Sequence, residues 1–323
     1  MARPLVRRAV WVVLVGAIVV TGVLGTLALV PRTPVGAPTD GGSTGARPTA
    51  PTVRRLPDIT YATGAGLDVY LPDPPAAPPA TPPESPGTGT PRAGTVVVVL
   101  VHGCCGDRSD LGKLAEALAA AGAVVLNVGW PGMAADARYP GAYEAVGCAA
   151  RFARARAASF GGDPDRVVLV GWSDGALVAT TVAGTGDDLD DRRCTVRNVT
   201  TRPRAVVGLN GFYGWRAPVP PAYVTARAVR FFGGTPRERP QAWIAATPWT
   251  ALREAPTGGT WVLVGRTDPL LPDARRYAAA LRAVGRPVHL VEMAPDGDQS
   301  LISPRSPEGR LVVTTVVAAG GRP

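Results

Sequence analysis

The stretch that most restricts this chain is Arg166-Val-Val-Leu-Val-Gly171-Trp-Ser173-Asp-Gly175-Ala-Leu-Val-Ala. Apolar, mostly β-branched residues run straight into Gly-x-Ser-x-Gly, and an Ala/Leu/Val-rich helical pattern follows at once. Strand, sharp turn, helix is the order that lifts a serine to the tip of a strand on strained backbone. The flanking glycines let neighbouring backbone pass close by. In a chain with 39 glycines the motif alone is weak, so context has to carry the reading. Here the context agrees.

The rest of the chain alternates in the same way. Residues 59–61 and 67–71, around Gly64-Ala-Gly66, read as an antiparallel hairpin. The continuous apolar run 95–101 is what a strand buried on both faces requires. Leu111, Leu114, Leu118 and Ala121 follow at helical spacing, with Gly122 as a stop. Residues 123–128 form the next strand. Tyr143, Val146, Ala150, Ala153 and Ala157 mark a helix, with Arg151 and Arg154 off its apolar stripe. Residues 167–170, 205–209, 261–264 and 288–292 complete the strands; Tyr277, Leu281 and Val284 mark a helix before the last of them, and 311–319 a final one. Strands alternating with helices predict an α/β fold, a parallel sheet covered on both sides.

A length of 323 residues fits one large domain with appendages. The net charge is +9, carried by arginine, since Lys113 is the sole lysine. These charges are scattered among Ala and Gly, not gathered with aromatics, which argues against nucleic-acid binding. Arg3, Arg7 and Arg8 precede an uncharged apolar run over 9–30, about one bilayer crossing. The reading is a cytoplasmic 1–8, a transmembrane anchor over 9–30, and everything after it outside the cytoplasm. Cleavage after the small residues of Thr26-Leu-Ala28 would make the protein secreted instead. Residues 31–57, rich in Pro, Gly, Thr and Ala, read as a stalk. The Pro-rich 73–94 reads as an exposed loop within the 58–323 domain.

Beyond residue 58 the chain resembles the α/β-hydrolase fold family, in particular small bacterial carboxylesterases and feruloyl-esterase-like members. The residues that carry the resemblance are Leu67-Asp-Val-Tyr-Leu-Pro72, the strand ending in His102-Gly103, Phe160-Gly-Gly-Asp-Pro-Asp-Arg166, the Ser173 turn and Gly265-Arg-Thr-Asp268. The resemblance implies an eight-stranded, mostly parallel sheet flanked by helices. It also implies a small cap over the pocket, here the aromatic-rich stretch 212–250, and a small ester or acyl substrate.

Acyl transfer by serine needs a nucleophile, a base, an acid to orient the base, and donors for the oxyanion. The resemblance assigns Ser173 as nucleophile and Asp268 as triad acid. Oxyanion donors would be the backbone N–H groups of Cys104 or Cys105 and of Asp174, in the sequence His102-Gly-Cys-Cys-Gly-Asp107 where relatives carry His-Gly-Gly-Gly. The base is missing. Gln299, or Asp298 if the register slips by one, stands where relatives place histidine. The chain has two histidines: His102 reads as a structural hydrogen-bonder and His289 as a strand residue. Loss of the base alone costs on the order of 10⁶ in turnover in a serine protease. The expectation is therefore a hydrolase of low or altered activity. The alternatives are a non-catalytic binding or scaffolding protein, and an acyltransferase acting on the cell envelope.

Four cysteines fit an oxidising compartment. Cys148 and Cys194 flank the same strand–helix unit and are expected to pair, whereas the adjacent Cys104 and Cys105 cannot easily bridge each other. No motif for a metal or cofactor is visible in the sequence.

Overall fold

A computed structural model describes residues 52–72, 94–103, 106–133, 136–215, 222–294 and 299–321. The apolar run 9–30, the Pro-rich 73–93, Cys104, Cys105 and Asp298 lie outside the described residues. Among the described residues no helix is long and apolar enough to cross a membrane.

Eight strands form one sheet in the order β1-β2-β4-β3-β5-β6-β7-β8. An antiparallel hairpin, β1 (Val53–Ala62) and β2 (Ala65–Pro72), closes one edge. β2 pairs antiparallel with β4 (Val124–Val128), and every later pairing is parallel. The parallel strands are β3 (Val97–Val101), β4, β5 (Val167–Trp172), β6 (Ala205–Leu209), β7 (Thr260–Gly265) and β8 (Val288–Met293).

The unbroken apolar runs make sense residue by residue. Successive side chains of a strand point to opposite faces. Val97, Val99 and Val101 enter one core cluster with Leu126 and Leu169, whereas Val98 and Leu100 enter the other with Val125, Val168 and Val170. The first face is covered by α2 (Gly141–Arg156) and α3 (Asp174–Thr185), the second by α1 (Gly112–Ala120) and α7 (Pro307–Ala319). Towards the far edge, α6 (Leu271–Ala283) packs Tyr277 and Leu281 on Val262 and Val264 of β7.

Three expectations need correction. β1 reaches back to Val53, into residues read as stalk, because Val53–Leu56 pair with Val69–Pro72 of a strand whose own pattern is apolar. The last helix begins at Pro307, not residue 311: Ser306 Oγ accepts the Gly309 N–H at 2.8 Å, a cap in front of a first-turn proline. Arg151 is buried at 3% exposure, although its spacing puts it off the apolar stripe. It donates from Nη2 to the carbonyls of Gly186 and Leu189 at 3.0 and 3.2 Å, in a loop that folds back over α2.

That loop is held by the disulfide expected from the sequence, Cys148–Cys194, with Cα atoms 5.0 Å apart and a sequence separation of 46. Thr63 and Thr195 tie the same loop to the hairpin: the Thr63 N–H donates to Arg193 C=O and the Thr195 N–H to Tyr61 C=O. Chain-entropy bookkeeping for a loop of this length gives about 4 kcal/mol. Replacing both cysteines by alanine should lower the urea midpoint accordingly, and an unchanged midpoint would show that the loop is held without the bridge.

Candidate active site

Ser173 follows the last residue of β5 and caps α3, with φ 55° and ψ −123°. A positive φ is rare outside glycine and costs on the order of 1–3 kcal/mol. The surroundings enforce it. The Ser173 N–H donates to Leu209 C=O at the end of β6 at 2.9 Å, and its own carbonyl accepts the Ala176 N–H at 3.0 Å. A Cβ on Gly175 would strike the carbonyl oxygens of Val101 and His102, and one on Gly171 would strike the Gly175 carbonyl. The elbow is thus packed backbone against backbone on the end of β3. The segment leaving β3 passes directly over it: a Cβ on Gly103 would lie 3.1 Å from Ser173 Cβ.

Asp174, the second expected oxyanion donor, is the first residue of α3 and is 4% exposed. Its backbone N–H belongs to the helix's first turn, where N–H groups lack intrahelical acceptors and favour negative charge. The other expected donors, Cys104 and Cys105, fall outside the described residues.

His102 is buried, and its Nδ1 lies 2.7 Å from the Gly103 carbonyl. A carbonyl can only accept, so Nδ1 carries the proton. Its ring tilts against Trp130 at a centroid distance of 5.6 Å, and Trp130 Nε1 donates to the His102 carbonyl at 3.2 Å. Trp130 follows β4, which lies on the opposite side of β3 from β5 and Ser173. Burial pushes the His102 imidazole below its ordinary pKa, which keeps it neutral.

Asp268 sits in the turn between β7 and α6. Its carboxylate accepts the Leu270 N–H at 2.7 Å and its own N–H donates to Gly265 C=O at 3.0 Å. Asn210, to which the sequence pattern assigns no role, anchors this turn to the neighbouring strand. Buried at 3% exposure with φ 42°, it accepts the Gly265 N–H on Oδ1 at 3.0 Å and donates its own N–H to Leu263 C=O at 2.9 Å. A non-glycine residue in left-handed backbone one position past a strand is the signal available for it, the Asn-Gly pair at 210–211.

Gln299 is exposed and precedes a short 3₁₀ turn, Ser300–Ile302, whose Leu301 and Ile302 are buried. It follows β8 as Asp268 follows β7 and Ser173 follows β5, so the three belong to loops leaving the same edge of the sheet. His289 does not. It pairs with Trp261, which pairs with Val207, which pairs with Val170, so it lies below the level of Ser173. Three strand spacings, roughly 14 Å, also separate it from β5. Its exposed ring stacks on Trp261 at 4.6 Å.

Between β6 and β7 lie α4 (Ala222–Phe232), α5 (Pro240–Ala245) and a 3₁₀ segment, Pro248–Glu254. Trp215, Phe232 and Trp243 meet pairwise at 4.6–5.4 Å, with Phe212 4.7 Å from Trp215. These rings are continuous with the core on the α2 and α3 face of the sheet, where Phe232 also meets Tyr139 at 5.7 Å. Asp273 at the start of α6 holds the segment leaving β6: it accepts the Tyr213 N–H at 2.6 Å, and burial pushes its carboxyl above the ordinary range.

A strained serine at a strand–helix elbow, a carboxylate turn after the penultimate strand and Gly103 packed against the serine define a hydrolase-type scaffold. The sequence profile described as alpha/beta hydrolase fold matches residues 98–296. The chain belongs to that family. Solved structures share the fold. A bifunctional GH43-CE protein of Bacteroides eggerthii is 22% identical with a TM-score of 0.66 over 83% of this chain, which spans only 38% of that longer protein. A fungal esterase from Rhizomucor miehei is 17% identical with a TM-score of 0.62, covering 84% of each chain. A thermostable esterase from Pseudomonas putida is 20% identical with a TM-score of 0.58, covering 84% of this chain and 82% of its own. No curated protein matches the sequence.

Proposed function

We propose that the protein is a serine-type carboxylic-ester hydrolase that forms its acyl-enzyme on Ser173, with Asp268 as triad acid and low turnover for want of an imidazole. The observation that carries the reading is the Ser173 backbone: φ 55° at the end of β5, enforced by close approach of the β3 and β6 ends. Strain of that kind persists only where the surroundings over-determine it. Ester-type substrates are suggested by the names of the structural neighbours. In the reaction Ser173 Oγ attacks the ester carbonyl, the alkoxide oxygen is met by backbone N–H groups of Asp174 and the Cys104–Cys105 segment, and the alcohol leaves. Water then releases the acid. With glutamine at 299 no side chain there accepts the serine proton at neutral pH, so water or Asp298 must do so.

The sequence favours an extracytoplasmic catalytic domain held by residues 9–30, and the Cys148–Cys194 disulfide is consistent with an oxidising compartment. The missing base also supports a second reading, a binding protein that kept the elbow and lost the chemistry. A fluorophosphonate probe separates the two. Wild type should be labelled and Ser173→Ala should not. Equal labelling of both, or of neither, removes the enzyme reading.

A further inference from the structure

The turn that carries Asp268 is tied at both ends to the segment leaving β6. The paired rungs of β6 and β7 end at Leu209–Leu263. At the next residue the chain turns out of the sheet with φ 42°, and the Asn210 side chain supplies the rung that its backbone no longer can. Asn210 Oδ1 accepts the Gly265 N–H at 3.0 Å, ahead of Asp268. Beyond Asp268 the bond runs the other way: Asp273 Oδ2 accepts the Tyr213 N–H at 2.6 Å.

The segment gripped in this way, 210–213, is also the one packed on the nucleophile. The Ser173 N–H donates to Leu209 C=O just before it. A Cβ on Gly211 would lie 3.5 Å from the Ser173 carbonyl oxygen, and fully buried Tyr213 stacks on Tyr277 of α6 at 4.5 Å. Asn210 and Asp273 are 3% and 6% exposed. A buried amide or carboxylate is costly unless hydrogen-bonded, and Asn210 adds left-handed backbone, which a short polar side chain tolerates best after glycine. The cation on Asp273, Arg276 at 3.1 Å, belongs to α6 itself and joins no other segment. Two buried polar side chains thus join the same two segments, one on each side of Asp268.

We propose that Asn210 and Asp273 form a two-point latch that holds the Asp268 turn in register with Ser173; this rests on the hydrolase reading above. Both are positioning residues, acting through Asp268 and not on the reacting atoms. A triad acid orients an imidazole and stabilises its charged form. An acid turn free to shift leaves that base misaligned and its pKa lower, because a carboxylate close by favours the imidazolium. Ester binding does not call on the acid, so the loss falls on turnover and not on KM.

The full-length chain is read in two ways: by hydrogen exchange with glutamine at 299, and by p-nitrophenyl acetate hydrolysis in a Gln299→His background that supplies the imidazole. Asn210→Gly removes the amide and suits the left-handed backbone. It should raise amide exchange of 264–270 about tenfold or more while leaving 97–101 within about twofold. With Gln299→His it should lower kcat about tenfold or more, keep KM within about twofold, and move the midpoint of the pH–rate profile downwards. Asp273→Ala should act in the same direction on both readouts. Asp273→Asn, which keeps an oxygen for the Tyr213 N–H, should recover most of the loss. Arg275→Met, which breaks the exposed pair with Glu292, should change neither readout beyond about twofold. Unchanged exchange over 264–270, a rise spread over the whole domain, or a loss in KM with kcat intact overturns the latch. If Gln299→His itself gains no activity, the triad placement fails separately, and the exchange result alone decides whether the turn is latched.

Discussion

A histidine at position 299 should raise hydrolysis of a short-chain p-nitrophenyl ester by about 10²-fold or more over wild type. The argument starts from a proton. Ser173 has the backbone of a nucleophile, but an alcohol at neutral pH needs a base in reach, and an amide cannot serve. Loss of the base costs on the order of 10⁶ where the remaining machinery is ideal, while binding and oxyanion donors alone retain roughly 10³–10⁴ over water. Restoring an imidazole on an unoptimised loop should recover part of that gap. Position 299 is suited to the substitution: it is exposed, and buried Leu301 and Ile302 pin the turn behind it. Asp298→His, tested separately, checks the register by one residue. Gln299→His should also bring an activity that rises with pH through the imidazole range, since only the neutral ring accepts a proton. If neither variant gains activity, the loop after β8 does not face Ser173, and the triad placement is wrong.

The second large effect concerns the elbow itself. Gly175→Ala should destabilise the domain by about 3 kcal/mol and cut fluorophosphonate labelling of Ser173 more than tenfold. The added methyl would meet the carbonyl oxygens of Val101 and His102, main-chain atoms at the end of a central strand that have no rotamer to change. Overpacking of this kind typically costs 1–3 kcal/mol or more, and relief requires α3 to lift off β3, carrying Ser173 with it. Gly141→Ala is the control: its methyl would meet only Glu144 Oε2 at 4.0 Å, so stability should hold. A urea midpoint for Gly175→Ala equal to that of wild type would show that the elbow is looser than its packing implies.

The sheet is legible in the sequence because its strands are apolar on both faces and are separated by patterns of helical period. Ser173 is legible for the same reason, since a strand, a serine between two glycines and a helix are local facts. The Cys148–Cys194 bridge follows from two residues flanking one strand–helix unit. The roles of Asn210 and Asp273 and the burial of Arg151 are not legible there. Each has a side chain whose role depends on a partner remote in sequence: Asn210 on the end of β7, Asp273 on the Tyr213 N–H, Arg151 on carbonyls 35 and 38 residues further along.

Local periodicity, turn residues and the run of Val and Leu settled the alternation of strands and helices and the placing of one serine at a strand's tip. Sheet order decided the rest. Because β2 lies beside β4 and β4 beside β3, a carboxylate at 68 reaches an arginine at 108 in the turn before α1. The same order leaves His289 on the outer strand and turns His102 towards Trp130. Pairing of distant strands is a property of the packed sheet as a whole, and a side-chain pattern with period two carries no record of which strand will be its neighbour.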